Sequence, residues 1–186
     1  TVGVNYVTDD AKAFMEANGG DRTVVSMRTD PIQPTQTQVI KFLPDGFDGG
    51  SDGKTFDFDA RLAGNDWIVL RYADILLMHV EAIMGSSSET NAAAALASFQ
   101  QVRDRAGLTE SVTSITKDDL LAERRAELAF ENQRLYDIIR FGKGIDILGA
   151  YAVAIGANFT SNDLLLPFPQ IEIGLSKGLL KQNPGY

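Results

Sequence analysis

Cysteine is absent from the 186 residues, and histidine and tryptophan occur once each, as His79 and Trp67. Without a thiol there is no disulfide, thiolate zinc site, iron–sulfur cluster or cysteine nucleophile. A single histidine rules out a two-histidine metal site within the chain, and any Ser-His-Asp triad would have to use His79. That residue lies between Met78 and Val80, with Glu81 two positions on and no HExxH pattern. It reads as a packed or hydrogen-bonded helix histidine, not a catalytic one. Cations are also in short supply: 17 Lys plus Arg against 25 Asp plus Glu leave a formal net charge of −8. An acidic chain of this kind is not expected to bind nucleic acid, which needs clustered Lys and Arg. A long charge-free apolar run is missing too. The most apolar stretch, Trp67 to Met84, contains Arg71, Asp74, His79 and Glu81, each costly at a bilayer centre, and reads as a buried helix. The opening Thr1-Val2-Gly3-Val4-Asn5-Tyr6 has neither an initiator methionine nor a leader pattern, so a fragment or processed chain is expected.

What is present is the composition of a folded domain, or of part of a larger one: 44% apolar and 23% charged residues. Residues 1–66 hold Pro31, Pro34, Pro44 and the run Asp45-Gly46-Phe47-Asp48-Gly49-Gly50-Ser51-Asp52-Gly53, which interrupts regular elements. Here we expect an irregular, loop-rich segment with one short helix near 9–17, capped by Thr8 or Asp9, and an extended piece at 39–43. It reads as unable to fold alone and as draped over something else.

From residue 67 the pattern turns helical. Tyr72, Ile75, Leu76, Val80 and Ile83 or Met84 recur at helical spacing over 71–84, ending at Gly85-Ser86-Ser87-Ser88. A second helix is expected over 89–106, with Ala92, Ala95, Phe99, Val102 and Ala106 as its stripe, forming an antiparallel hairpin with the first. Thr116 followed by Asp118 and Asp119 marks the start of a third. Leu120, Leu121, Leu128 and Phe130 are its apolar contacts, and a turn at 132–133 precedes a further helix ending at Gly142. A weaker helical stretch at 145–155 follows. Leu164 to Pro169 reads as extended because each proline restricts its predecessor. The class is mainly α.

Several segments resemble the SusD/RagB family. Trp67-Ile68-Val69-Leu70-Arg71-Tyr72-Ala73-Asp74-Ile75-Leu76-Leu77-Met78 with Glu81-Ala82 is similar to its signature helix, and Val102-Arg103-Asp104-Arg105-Ala106-Gly107-Leu108 to its next motif. Glu123-Arg124-Arg125-Ala126-Glu127-Leu128-Ala129-Phe130-Glu131, then Arg134, Asp137 and Arg140-Phe141-Gly142, resembles a third block. Leu165-Leu166-Pro167-Phe168-Pro169 and Gln182-Asn183-Pro184-Gly185-Tyr186 resemble the family's ending. Val80 and Phe141 depart from it, standing where a small residue and a tryptophan are usual.

The resemblance implies a SusD-like fold with tetratricopeptide-repeat-like helical hairpins and long irregular loops. The chain would comprise a variable segment (1–66) and a C-terminal helical region (67–186), with the N-terminal half of the same protein missing. Ala95 and Phe99 stand at the alanine-x-x-x-phenylalanine spacing of such repeats, and one hairpin cannot bury both its faces. The resemblance further implies a non-catalytic, lipid-anchored protein on the bacterial outer membrane. Such a protein captures a glycan for a SusC-like TonB-dependent transporter. A helical-repeat scaffold binding a protein or peptide is the alternative.

Candidate chemistry is sparse. Glu123, Glu127 and Glu131 at four-residue spacing fit a glycosidase carboxylate pair or a carboxylate metal site, although partnering histidines are absent. The preferred reading is a structural ion-pair network of Arg71, Glu123, Arg124, Glu127, Glu131, Arg134, Asp137 and Arg140, with Arg125 interleaved and Arg103 and Arg105 on an adjacent helix. Asp45, Asp48 and Asp52, with Asp57 and Asp59, are weak calcium candidates whose spacing is not that of an EF-hand. Trp67, Tyr72 and Tyr136 read as core residues and not as sugar platforms. Tyr6, Phe47 and Tyr151 are freer, but no residue is singled out for glycan contact.

Overall fold

The structure is a computed structural model that describes residues 6–30, 33–42, 56–57, 62–63 and 68–186. The chain divides into two compact units, residues 1–133 and 134–186, so the change in composition at 66/67 falls inside the first.

The first unit begins with α1 (Asp9–Asn18), whose N-cap Thr8 accepts a hydrogen bond from the Ala11 N–H at 3.3 Å. Asp9 and Asp10 stand in its first turn, where the helix dipole favours negative charge. After Gly19-Gly20 the chain forms α2 (Arg22–Ser26) and β1 (Met27–Thr29), which pairs antiparallel with β2 (Thr37–Val39), Met27 facing Val39. β3 (Phe56–Asp57) and β4 (Leu62–Ala63) make a second ladder, two residues long. The described residues before 67 thus include two helices and two short ladders. Met15 and Met27 are buried against Ala126, with Val7, Phe14 and Ala129 around them.

α3 (Tyr72–Met84) and α4 (Ala93–Arg105) form the expected hairpin. Leu77, Val80, Ala95, Phe99 and Val102 are its buried seam. The face of α3 differs from the expected one: Ala73, Leu76, Leu77, Val80 and Met84 are buried, whereas Tyr72 and Ile75 are 67% and 39% exposed. α3 is apolar nearly all round, so periodicity alone does not select a side, and the contact with α4 decides. α4 also starts later than expected. Glu89–Thr90 is β5, paired with β6 (Ile115–Thr116), and the Thr90 hydroxyl accepts from the Ala92 N–H.

That ladder leads into α5 (Lys117–Glu127), where Thr116 and Asp119 form a reciprocal capping box. Two glycine corners meet elsewhere in this unit. Asp21 N–H donates to the Ala106 carbonyl at 2.9 Å, and a Cβ on Gly20 (φ +56°) would stand 2.2 Å from that oxygen. On the opposing corner, a Cβ on Gly107 (φ +74°) would lie 2.6 Å from Asp21 Oδ2.

The second unit contains α6 (Arg134–Arg140), α7 (Gly144–Ala154), a 3-10 turn at Ser161–Leu164 and α8 (Gln170–Leu175). α8 is too short to show periodicity; it follows Pro169 at the point where the expected extended stretch ends. The chain's last residues clasp that stretch through side chains. Gln182 behaves as a strand neighbour, Oε1 accepting from Phe168 N–H and Nε2 donating to Phe168 C=O, both at 2.9 Å. Asn183 donates to the Leu166 carbonyl at 2.7 Å and the Tyr186 hydroxyl to that of Leu165 at 3.1 Å. Prolines on both sides of Phe168 leave its N–H as the one backbone donor of Pro167-Phe168-Pro169, and Gln182 takes it. Gln182→Ala should therefore cost about 1 kcal/mol per lost bond and accelerate hydrogen exchange at the Phe168 amide. Gln182→Glu, which keeps the acceptor, should leave that amide protected.

Candidate functional site

The densest polar chemistry in the first unit surrounds the C-terminus of α5. Glu123 and Glu127 project from its last two turns and are 4% and 2% exposed. Glu131 follows the helix end, since α5 stops at Glu127, one turn earlier than the four-residue spacing implies. The turn that returns it has positive φ at Phe130 (68°) and Asn132 (61°). Asparagine tolerates that region; phenylalanine does not, so the backbone there is strained.

Cations from four segments converge on these carboxylates. Arg22, on α2, donates from Nη1 to Glu123 Oε1 at 2.6 Å and Glu127 Oε2 at 3.1 Å, and from Nε to the Gly19 carbonyl at 2.8 Å. Arg71, the N-cap residue of α3, reaches Glu127 Oε1 at 2.7 Å and forks onto both oxygens of Glu131 at 3.0 and 2.8 Å. From α4, Arg103 meets Glu123 Oε2 at 3.3 Å, and Arg105 bonds Glu127 Oε1. Lys41 binds Glu131 and the carbonyls of Glu127 and Ala129, the last two at 3.0 Å. With Arg71 Nη2, 2.9 Å from the Glu127 carbonyl, it supplies positive charge where the helix dipole is negative.

Burial by itself raises the pKa of Glu127, but the hydrogen bond from Arg71 and the charge of Arg105 outweigh it and hold the carboxyl below its ordinary value. Burial is also the main effect on Lys41, lowering its pKa, and Glu131 recovers only part of the shift. A glycosidase general acid needs the reverse of Glu127, a carboxyl held protonated by a raised pKa, with room for a sugar between two carboxyls. Here all three glutamates are tied to guanidinium or ammonium groups.

The remaining sequence candidates are distributed differently. Arg124 pairs with Asp74 at 2.8 Å. Arg125 pairs with Asp10 and covers the Phe14 ring at 4.1 Å. In the second unit, Arg140 donates to the buried Asp137 at 2.9 Å within α6, which Arg134 opens. His79 Nδ1 lies 2.9 Å from Ser98 Oγ, joining α3 to α4. Asp45, Asp48, Asp52, Phe47 and Trp67 lie outside the described residues. Among the described residues no cluster of three His, Asp or Glu side chains is arranged to hold a metal ion, and no helix is long and apolar enough to cross a membrane. Tyr72 and Tyr136, expected in the core, are each 67% exposed.

Arg22 and Lys41 were not anticipated. Arg22 lies about a hundred residues from its carboxylates, beyond the reach of any spacing argument. A lone lysine inside Val39-Ile40-Lys41-Phe42-Leu43 was the one available hint. Beside the cluster, an open cleft of about 470 Å³ is lined by Arg71, Tyr72, Leu76, Gln101, Val102 and Arg105. A second, of about 380 Å³, runs past Asn18, Phe99, Arg103, Glu110, Asp119 and Glu123.

A helical hairpin locked by arginines onto an acidic third helix, with a clasped C-terminus, is a helical-repeat type of architecture. Residues 54–186 match the model of the SusD family, and the chain belongs to that family. SusD-like protein P2 of Formosa agariphila is 31% identical over 97% of this chain and 39% of its own length. Among solved structures, a laminarin binding SusD-like protein superposes with a TM-score of 0.72 at 28% identity, over 98% of this chain and 38% of that one. Surface glycan-binding protein A from Bacteroides thetaiotaomicron, in complex with laminarihexaose, shares the fold with a TM-score of 0.71 at 22% identity, over 96% of this chain and 41% of that one. The chain thus spans about two fifths of the length of these relatives, and its fold is the mainly helical, SusD-like one.

Two outcomes follow from the cluster. Arg22→Met should destabilise the protein by on the order of 3 kcal/mol, because it strips a partner from two buried carboxylates, read as a lower denaturant midpoint. A hydrolytic Glu pair would instead lose turnover on Glu→Gln substitution with stability unchanged. The second concerns acid. Because Glu127 is depressed in the folded state, its contribution is complete above the unfolded value near 4.5 and is lost as the pH falls through the lower folded value. Glu127→Gln should be less stable than the parent at pH 7 and show a shallower loss of stability below about pH 4.5 in urea titrations.

Proposed function

We propose that this chain forms part of a non-catalytic glycan-capture protein on the bacterial cell surface, lipid-anchored at the outer membrane, which passes an oligosaccharide to a SusC-like TonB-dependent transporter. The observation that carries this reading is the match over 98% of the chain, at 28% identity and a TM-score of 0.72, to a laminarin-binding relative. The chemistry is in keeping with it. Among the described residues, the acids gathered at the end of α5 are each paired with cations, and Glu127 is held below its ordinary pKa, the reverse of what acid catalysis needs, leaving surfaces and not reactive groups to do the work. Capture of a sugar needs an aromatic face with amides and charged groups around it. Exposed tyrosines are available in both units, Tyr72 in the first and Tyr136 and Tyr151 in the second.

The relative's ligand makes β-glucan the first sugar to test. Affinity electrophoresis and titration calorimetry of the purified full-length protein should show retention by laminarin and heat on adding laminarihexaose. Chromatography should find the oligosaccharide intact after prolonged incubation. Release of shorter sugars would overturn the non-catalytic reading. Failure to bind laminarin or any other glycan in a panel, with transporter binding retained, would favour a protein-binding scaffold.

A further inference from the structure

The cleft of about 380 Å³ beside α5 is walled by four segments of the first unit: the end of α1, α4, α5 and the loop 108–114. That loop is tied to α4 through one side chain. Gln100 donates from Nε2 to the Leu108 carbonyl at 3.4 Å and accepts the Val112 N–H at 3.3 Å. The volume falls in the range of small-molecule sites, roughly 300–1,000 Å³.

The polar groups that line it are unevenly satisfied. Arg103 commits only Nη1 to a hydrogen bond, with Glu123 Oε2 at 3.3 Å, while its buried Nε makes none. Its guanidinium carbon lies 5.9 Å from the centroid of the Phe99 ring, which offers a π face but no acceptor oxygen. Asp119 commits Oδ2 to the Thr116 N–H and hydroxyl, at 2.9 and 2.6 Å, and leaves Oδ1 open. Glu110 and Asp119 are exposed, and among the described residues neither pairs with a cation.

This set of donors and acceptors discriminates between classes of ligand. An anion would satisfy Arg103 but meet the repulsion of Glu110 and Asp119. An ammonium group would satisfy the acids and leave Arg103 without an acceptor. A hydroxyl both donates and accepts, so neighbouring hydroxyls on one ring serve both kinds of group. Leu108 and Val112, which also line the cleft, supply apolar contact for the C–H face of such a ring.

We infer that this cleft is a binding site for one neutral hexopyranose unit, whose hydroxyls accept from Arg103 and donate to Glu110 and Asp119, and that it rejects sugars carrying an acid group. The inference rests on the glycan-capture reading and adds to it a site and a charge preference.

Carboxyl footprinting of the full-length protein, by carbodiimide labelling and mass spectrometry, reads Glu110 directly. Glu172, an exposed acid of the second unit, is the internal reference. Saturating laminarihexaose should slow the labelling of Glu110 several-fold and leave Glu172 unchanged, whereas an oligogalacturonate should protect neither. Maltohexaose and cellohexaose are used in turn if laminarihexaose gives no heat by calorimetry. Glu110→Ala should weaken the sugar that binds by about tenfold, with the thermal midpoint unchanged. Heat of binding with Glu110 labelled at its free rate overturns the inference and leaves glycan capture standing. So does protection of Glu110 by the oligogalacturonate, or undiminished affinity in Glu110→Ala. Neither heat nor protection with any of the three neutral sugars or the oligogalacturonate overturns both readings.

Discussion

The first unit is organised around the need to ionise Glu127 away from water. A carboxylate 2% exposed is tolerable only if cations reach it, and three do: Arg22 from α2, Arg71 from the start of α3 and Arg105 from the end of α4. That requirement dictates much else. α5 must end where its carbonyls can also meet Arg71 and Lys41. The turn after it must bend Glu131 back to the same cations, even at the cost of a left-handed phenylalanine. The hairpin of α3 and α4 must present its open end to α5, because one cation comes from each of its helices.

Such a cluster is a poor source of net stability, since most of its Coulomb energy offsets desolvation. Its effect is on uniqueness. Any sliding of α3 against α5 by one turn would break the fork of Arg71 on Glu131 and its bond to the buried Glu127. Sliding an apolar seam of Leu77, Val80, Ala95 and Val102 costs less, because several registers bury similar area. The apolar residues decide that the helices associate, and the ion pairs decide how. The same division holds at the corner where Gly20 and Gly107 meet Asp21 and Ala106: shape and one backbone hydrogen bond fix a position that hydrophobicity would leave loose.

These two kinds of contact differ in how far they can be read from sequence. The helices were legible where caps and periodicity coincide, as at Thr8, Thr116 and Gly142. So was the acidic third helix with its arginines. The buried face of α3 was not, because a helix apolar on all sides offers two stripes and only the neighbour chooses between them. Arg22 was not, because nothing local distinguishes an arginine that will be buried from one that stays in water. Arg124 was legible as an ion-pair residue but its partner was not: it pairs with Asp74, fifty residues away on α3, to which no spacing within α5 points. Tyr72 and Tyr136 were assigned to the core on the strength of their neighbours, and exposure shows that this chain alone does not enclose them.

The recognisable segments also explain what the resemblance can and cannot carry. Arg71, Arg103 and Arg105, Gly107, Glu123, Glu127 and Glu131, and Gln182 and Asn183 all belong to joints: a cluster, a corner and a clasp. They hold helices and turns in place through ion pairs with one another and hydrogen bonds to the backbone. A match carried by joints transmits a fold with high fidelity and says little about a ligand.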